Sequence, residues 1–351
     1  MKNTDERRIL SVQGLRAIAC ICVFLAHSWG ASNDFLSSMI SDLGRLGVLT
    51  FFLLSGVLTS RKLQRATSDN AIKDGIKYAI NKIIKIYPLY ILTTLVMLII
   101  TFDLFFLVEW VQSKIGMIAR LGLHILLLQS YVPRLGVAYS FNGPAWFLSV
   151  CLLLWLLTPM IIKVLKRINR EWYPFLGIVL FVLQLCYLIV VFNLHLAEQR
   201  WFMYVFPLIN LLIYIQGILW GGGVHLPDKR YFGIDAFVIL LFQYLIKDFI
   251  PVDFRVIWLE PVVLCLVLAV RNDKDYLSTV LARHPIVFIG NISMEIFLIH
   301  YSVLHFIGRI FSVAGVKQPE WIFIFEFLTT VFLALGWKLI VDCRERNRSR
   351  L

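Results

Sequence analysis

The sequence predicts an all-α fold: a polytopic transmembrane helix bundle of about ten crossings with both termini cytoplasmic. Three observations predict it, namely an apolar composition, apolar runs of membrane-spanning length, and basic clusters between alternate runs. Of 351 residues 59% are hydrophobic and 16% charged, and the mean hydropathy is +0.79. Ordinary soluble domains carry roughly 45–50% apolar and about 25% charged residues. A water-soluble fold of this length has too little interior to hide so much apolar surface.

Windows of about 19 residues place crossings near 9–29, 43–60, 87–107, 144–162, 174–195, 203–222, 232–250, 256–270, 285–308 and 321–341. The apolar run 121–132 is different, because as a helix it reaches only about 18 Å of the roughly 30 Å hydrocarbon core. It is expected to be re-entrant or interfacial. Leaving it out puts four basic clusters on one side: Arg61, Lys62, Arg65, Lys73, Lys77, Lys82 and Lys85; Lys163, Lys166, Arg167 and Arg170; Lys229 and Arg230; and Arg271, Lys274 and Arg283. The opposite loops hold Asp34, Asp42, Glu109, Glu198, Asp248 and Asp253. The positive-inside rule therefore sets the basic side, and both termini with it, in the cytoplasm.

The same clustering explains the net charge of +12, so nucleic acid is not an expected partner and membrane lipid is. The six cysteines show no zinc-binding or disulfide spacing, and no metal site is expected. The first apolar run is interrupted by Arg16 and lacks a small-residue cleavage site, which predicts a retained helix in place of a signal peptide. No internal repeat divides the chain, so residues 1–351 are expected to form one domain. The glycines at 221–223 follow no strand and read as a helix terminus.

Arg16 and His27 are ionisable groups where the lipid phase tolerates few. Eleven residues apart, they return to nearly the same helical face, separated by about 16.5 Å along the axis. One face thus carries a cation on the inner side and an imidazole farther out. Taken singly, the pair is equally compatible with an arginine snorkelling to phosphates and a histidine at the outer interface.

The surrounding residues add a resemblance. The segment SVQGLRAIACICVFLAHSW around Arg16 and His27 resembles the opening signature of the membrane-bound acyltransferase-3 family, with Gln13 where the family has an acid. In order along the chain, LTFFLLSGVLTS at 49–60, KIIKIYP at 82–88, NGPAWFLSVCLLLWLLTP at 142–159 and ISMEIFLIHY at 292–301 resemble the family's later motifs. Lys82 and Lys85 stand where the family has arginines, and Cys151 where many members have a glutamate.

The resemblance implies transfer of an acetyl or other short acyl group from acyl-CoA to a hydroxyl of a surface carbohydrate or lipid-linked glycan. It implies His27 as general base and Arg16 as a catalytic and donor-holding cation, because acyl transfer needs a proton acceptor and a positive partner for the donor. Lys82 and Lys85 would receive the anionic CoA head, with acetyl-CoA a substrate and no permanently bound cofactor. Asn142 and Trp146 would line the acceptor pocket, while Glu295 and His300 would form a polar cluster facing Arg16 or His27. A buried helix-to-helix contact is an equal reading for the last two. A bacterial inner membrane is the expected location. Two other functions remain open at this point: a transporter or flippase for glycan or lipid, and an acyltransferase with a non-polysaccharide acceptor.

Overall fold

A computed structural model describes residues 10–28, 34–63, 70–101, 114–222, 231–271, 275–319 and 321–348. All regular structure among the described residues is helical. Of the charged residues that sort the loops, Arg65, Glu109, Lys229, Arg230 and Lys274 lie outside them, as does Gly223. The longer helices are α1 (Leu10–Ser28), α2 (Asp34–Leu63), α3 (Ala71–Ile100), α4 (Lys114–Ile125), α5 (Trp146–Leu165), α6 (Tyr173–Asn193) and α7 (Pro207–Gly221). They are followed by α8 (Phe232–Leu245), α9 (Arg255–Val270), α10 (Tyr276–Leu281), α11 (His284–Asn291), α12 (Ser293–Val313) and α13 (Ile322–Arg348).

Among the described residues eight segments are long and apolar enough to cross a membrane: Leu10–Ser28, Ser38–Ser60, Ala71–Ile100, Gly143–Leu165, Arg170–Asn193, Trp201–Gly221, Ser293–Val313 and Ile322–Arg344. The other two expected crossings fall on α8 and α9, helices of 14 and 16 residues. At 1.5 Å per residue these reach about 21–24 Å; they pack on one another, and α9 runs from the Arg255 contact with Asp42 at one end to Val270, whose carbonyl accepts from the Ser11 hydroxyl, at the other. The run 121–132 forms no continuous helix of spanning length. It is the end of the 12-residue α4, then a turn with Leu127 at φ 55° and a 3-10 turn at Gln129–Tyr131. The expected cytoplasmic loop before the third crossing is instead helical, since α3 begins at Ala71 and carries Lys73, Lys77, Lys82 and Lys85 on its first turns. Asn70 caps it, its side chain accepting from the Lys73 amide.

Burial sorts the helices into a centre and a periphery. In the second span 72% of the residues are buried, against 17% in the last, where Leu328, Phe332 and Leu339 point outward as a lipid-facing surface needs. α1 is central, packing against α2, α9, α10, α11, α12 and α13. In lipid, helices gain little from apolar burial and associate through close backbone approach and interhelical hydrogen bonds. Gly56 and Gly217 provide the first where α2 meets α7: a Cβ at Gly56 would strike the Tyr214 carbonyl oxygen, and one at Gly217 the Leu53 carbonyl oxygen. Tyr214 provides the second, its hydroxyl 2.8 Å from Thr158 Oγ1 and 3.0 Å from Thr59 Oγ1. Gln184 and Gln216 tie α6, α7 and α9 through Glu260, Gln184 donating to the carboxylate at 2.9 Å.

The chain direction follows from these contacts. α2 returns antiparallel to α1, with Gly47 against Ala19 and Gly44 against Ala26. Glu326, near the start of α13, shares a cavity with His27, so α13 runs back and both described chain ends lie at the Arg16 end.

Candidate active site

The site is built around α1. Because α1 is enclosed by other helices, the face carrying Arg16 and His27 meets protein and cavity instead of lipid. His27 Nδ1 lies 2.8 Å from the Val23 carbonyl oxygen. A carbonyl only accepts, so Nδ1 donates, and the neutral ring keeps its lone pair on Nε2. That is the tautomer a general base needs.

The His27 side chain is exposed within the bundle because it borders two cavities. The larger, about 740 Å³, is lined by His27, Arg45, Tyr139, Trp146, Tyr204 and Tyr301 among others. The smaller, about 340 Å³, is lined by His27, Ser28, His305, Arg309 and Glu326 among others. Space of the first size suits a drug-sized or sugar-sized ligand. His300 on α12 lies behind this wall, 1% exposed, with its ring centroid 5.2 Å from that of His27 in an edge-on arrangement. Its Nδ1 is 3.2 Å from the Ile296 carbonyl oxygen, and its buried Nε2 has no partner among the described residues. Tyr301 sits 5.8 Å from His27 and 4.3 Å from His305, centroid to centroid.

A second polar layer surrounds Arg16, three helical turns away from His27. Arg16 donates to Gln13 Oε1 at 3.0 Å, so the amide oxygen of Gln13 serves as an uncharged acceptor. Cys20 lies within electrostatic range of both Arg16 and Glu295. Lys82 lies within range of Arg16, Lys85 and Cys151 and over the Tyr78 ring at 5.5 Å. Lys82 and Cys151 therefore lie toward the Arg16 layer, as does Glu295 in the first turn of α12. Lys85 is exposed.

The remaining expected residues divide. Trp146 lines the large cavity and packs on Tyr204 at 5.0 Å. Asn142 is buried behind the wall, its amide donating to Thr93 Oγ1 at 3.1 Å and to the Leu298 carbonyl at 3.3 Å, which joins the 143–145 turn to α3 and α12. Phe141, just before it, is held at φ 55°, a strained setting for a bulky residue. Tyr87 and Tyr90 use their hydroxyls to anchor α4, donating to the carbonyls of Ile125 and His124 at 2.9 and 2.7 Å. Sequence reasoning passed over Arg45, Arg200, Arg255, Tyr139 and Tyr204, all on the cavity wall. Arg45 carried the same signal as Arg16, an ionisable residue in an apolar run. Tyr204 lies in a π-helical turn, Trp201–Val205, which a sequence does not announce.

Helices of membrane-spanning length arranged about a cavity-lining imidazole and a half-buried cation define an integral membrane protein with a polar site inside its bundle. The family profile described as "Acyltransferase domain" (acyltransferase-3) matches residues 9–342, so the chain belongs to that acyltransferase family. It is also 26% identical over 324 residues to "Acyltransferase MdmB" of Streptomyces mycarofaciens, an alignment covering 86% of this chain and 81% of the relative. No solved structure matches significantly. The protein is accordingly a membrane-embedded acyltransferase.

Proposed function

We propose that the protein is an O-acetyltransferase, or carries another short acyl group, from acyl-CoA to a hydroxyl of a surface carbohydrate or lipid-linked glycan. The observation that carries the reading is His27, with Nδ1 fixed on the Val23 carbonyl and the ring bordering a cavity of about 740 Å³. The acceptor hydroxyl would lie in that cavity and give its proton to Nε2 as its oxygen attacks the thioester carbonyl. The C–S bond then breaks, the ester remains on the acceptor, and the CoA thiolate takes the proton from His27. The cation of Arg16 would hold a carbonyl or phosphate of the donor, with Lys82 and Lys85 beyond it for the CoA head.

The layered arrangement supports a donor that enters at the Arg16 end and an acceptor at the His27 end, about 16.5 Å further along α1. The positive-inside bias supports a cytoplasmic Arg16 end and cytoplasmic termini, in a bacterial inner membrane. Mass spectrometry of surface glycans from cells with and without the gene tests the reading. Loss of one acyl mass is expected, and identical glycan masses in the two strains would count against a glycan acceptor.

A further inference from the structure

The wall of the large cavity holds a charge imbalance that acyl transfer does not require. Arg45 on α2, Arg200 before the π-helical turn and Arg255 at the start of α9 all line it. Among the described lining residues only Asp253 is acidic, and it stands 3.6 Å from Arg200 Nε; Gln199 also donates to it, at 3.4 Å. Arg255 is buried, 8% exposed, and its Nη1 donates to Ser38 Oγ at 2.7 Å and to Asp42 at 3.0 Å. The other oxygen of Asp42 accepts from Arg45 Nη1 at 2.6 Å. One carboxylate therefore serves two guanidiniums, while Arg255 Nε has no partner among the described residues.

A purely architectural ion-pair network would balance its charges, because an excess charge in a low-dielectric bundle is costly. This one leaves Arg45 and Arg255 sharing the single carboxylate of Asp42 at the cavity, the other nearby acids being engaged elsewhere, Asp253 beside Arg200 and Glu198 on the Leu135 amide. It does so at the end of the bundle where basic residues are otherwise sparse in the sequence. Tyr139 and Tyr204 line the same cavity, so phenol hydroxyls share its wall with the guanidiniums. Arginine forks beside hydroxyl donors match the planar, multidentate oxygens of a carboxylate or phosphate.

We propose that this cavity selects an acceptor bearing a negatively charged group, a carboxylate or phosphate, which Arg45, Arg200 and Arg255 hold while a hydroxyl of the same molecule reaches His27. The acyl-transfer part rests on the function proposed above; the anion site rests on the arginines alone. Its distance from the Arg16 layer separates it from the donor's own phosphates.

The full chain in phosphatidylcholine nanodiscs, offered octyl glucoside, octyl glucuronide and octyl glucoside 6-phosphate, tests this. Binding is read by competition and transfer from acetyl-CoA by mass spectrometry. The anionic glycosides should bind about tenfold or more tightly than the neutral one, the scale of one charge-assisted hydrogen bond, and the preference should shrink as salt rises. Arg255→Gln and Arg45→Gln should collapse the anionic-to-neutral ratio. Arg200→Gln should lower it with no risk to folding, because that side chain is 73% exposed. Equal binding of the three glycosides overturns the proposal, as does an unchanged ratio in all the variants or a loss of acetyl-CoA binding in its place. Phosphatidylglycerol in the nanodisc that abolishes the preference by competition assigns the arginines to a lipid headgroup and also overturns it. Arginine-dependent anion binding without acyl transfer to any glycoside would keep the anion site and sink the acyl-transfer reading.

Discussion

His27→Gln replaces the imidazole with a polar side chain of similar reach that does not accept a proton at neutral pH. The wild-type ring is oriented by the 2.8 Å bond from Nδ1 to the Val23 carbonyl, which a glutamine amide can partly replace. It also packs edge-on against His300 and Tyr301, at centroid separations of 5.2 and 5.8 Å. Each such ring contact is worth about 0.5–1.5 kcal/mol, so a stability loss of about 1–3 kcal/mol is expected, with insertion and acyl-CoA binding retained. Loss of a general base costs about 10²–10⁴ in rate, or about 2.7–5.4 kcal/mol of barrier. The assay follows CoA thiol release and acylated product with purified protein, alongside the thermal unfolding midpoint. His27→Ala should be equally slow, and added imidazole should restore part of its rate, because the side chain borders open cavity and not packed core. A His27→Gln protein that acylates near the wild-type rate would refute the general-base assignment and turn attention to His300.

Arg16→Ala should weaken acyl-CoA binding measured by calorimetry on detergent-purified protein, and unchanged affinity would remove its donor role; Lys82→Ala with Lys85→Ala should give a smaller loss that fades with added salt. Gly217→Ala should lower the thermal midpoint through about 1–3 kcal/mol of overpacking, because its Cβ meets the Leu53 backbone where α7 crosses α2. In a chain freed of its six cysteines, a cysteine placed at Arg167 should resist an impermeant thiol reagent in intact cells and one placed at Val316 should react. The reverse pattern would invert the assigned orientation.

Much of the bundle was legible because membrane insertion reads local composition. α1, α5, α6, α7 and α13 fall on apolar runs visible in any window, and the run at 121–132 was too short to span for a reason of length alone. The third crossing was placed late because its first turns carry lysines, which a hydropathy window scores as loop, whereas helical hydrogen bonding continues through them from the Asn70 cap. The 256–270 run coincides with α9, whereas 232–250 runs past the end of α8 at Leu245 because apolar character does not reveal where a helix ends; the turns on either side of Pro251 set that end.

For the site, the sequence by itself determined that Arg16 and His27 share one face of an apolar helix, because helical periodicity is a local property. Family-like motifs around them carried the acyltransferase reading. Which residues join them is non-local, and only the tertiary structure decided it. Packing around α1 put His300, Tyr301 and His305 beside His27, and it put Glu295, Lys82 and Cys151 with Arg16. It also brought Arg45, Arg200 and Arg255 onto one cavity wall from positions as far apart as 45 and 255. No window of sequence contains that wall, since its spacing is set by how α2, α9 and the π-helical turn lean together and not by any repeat along the chain.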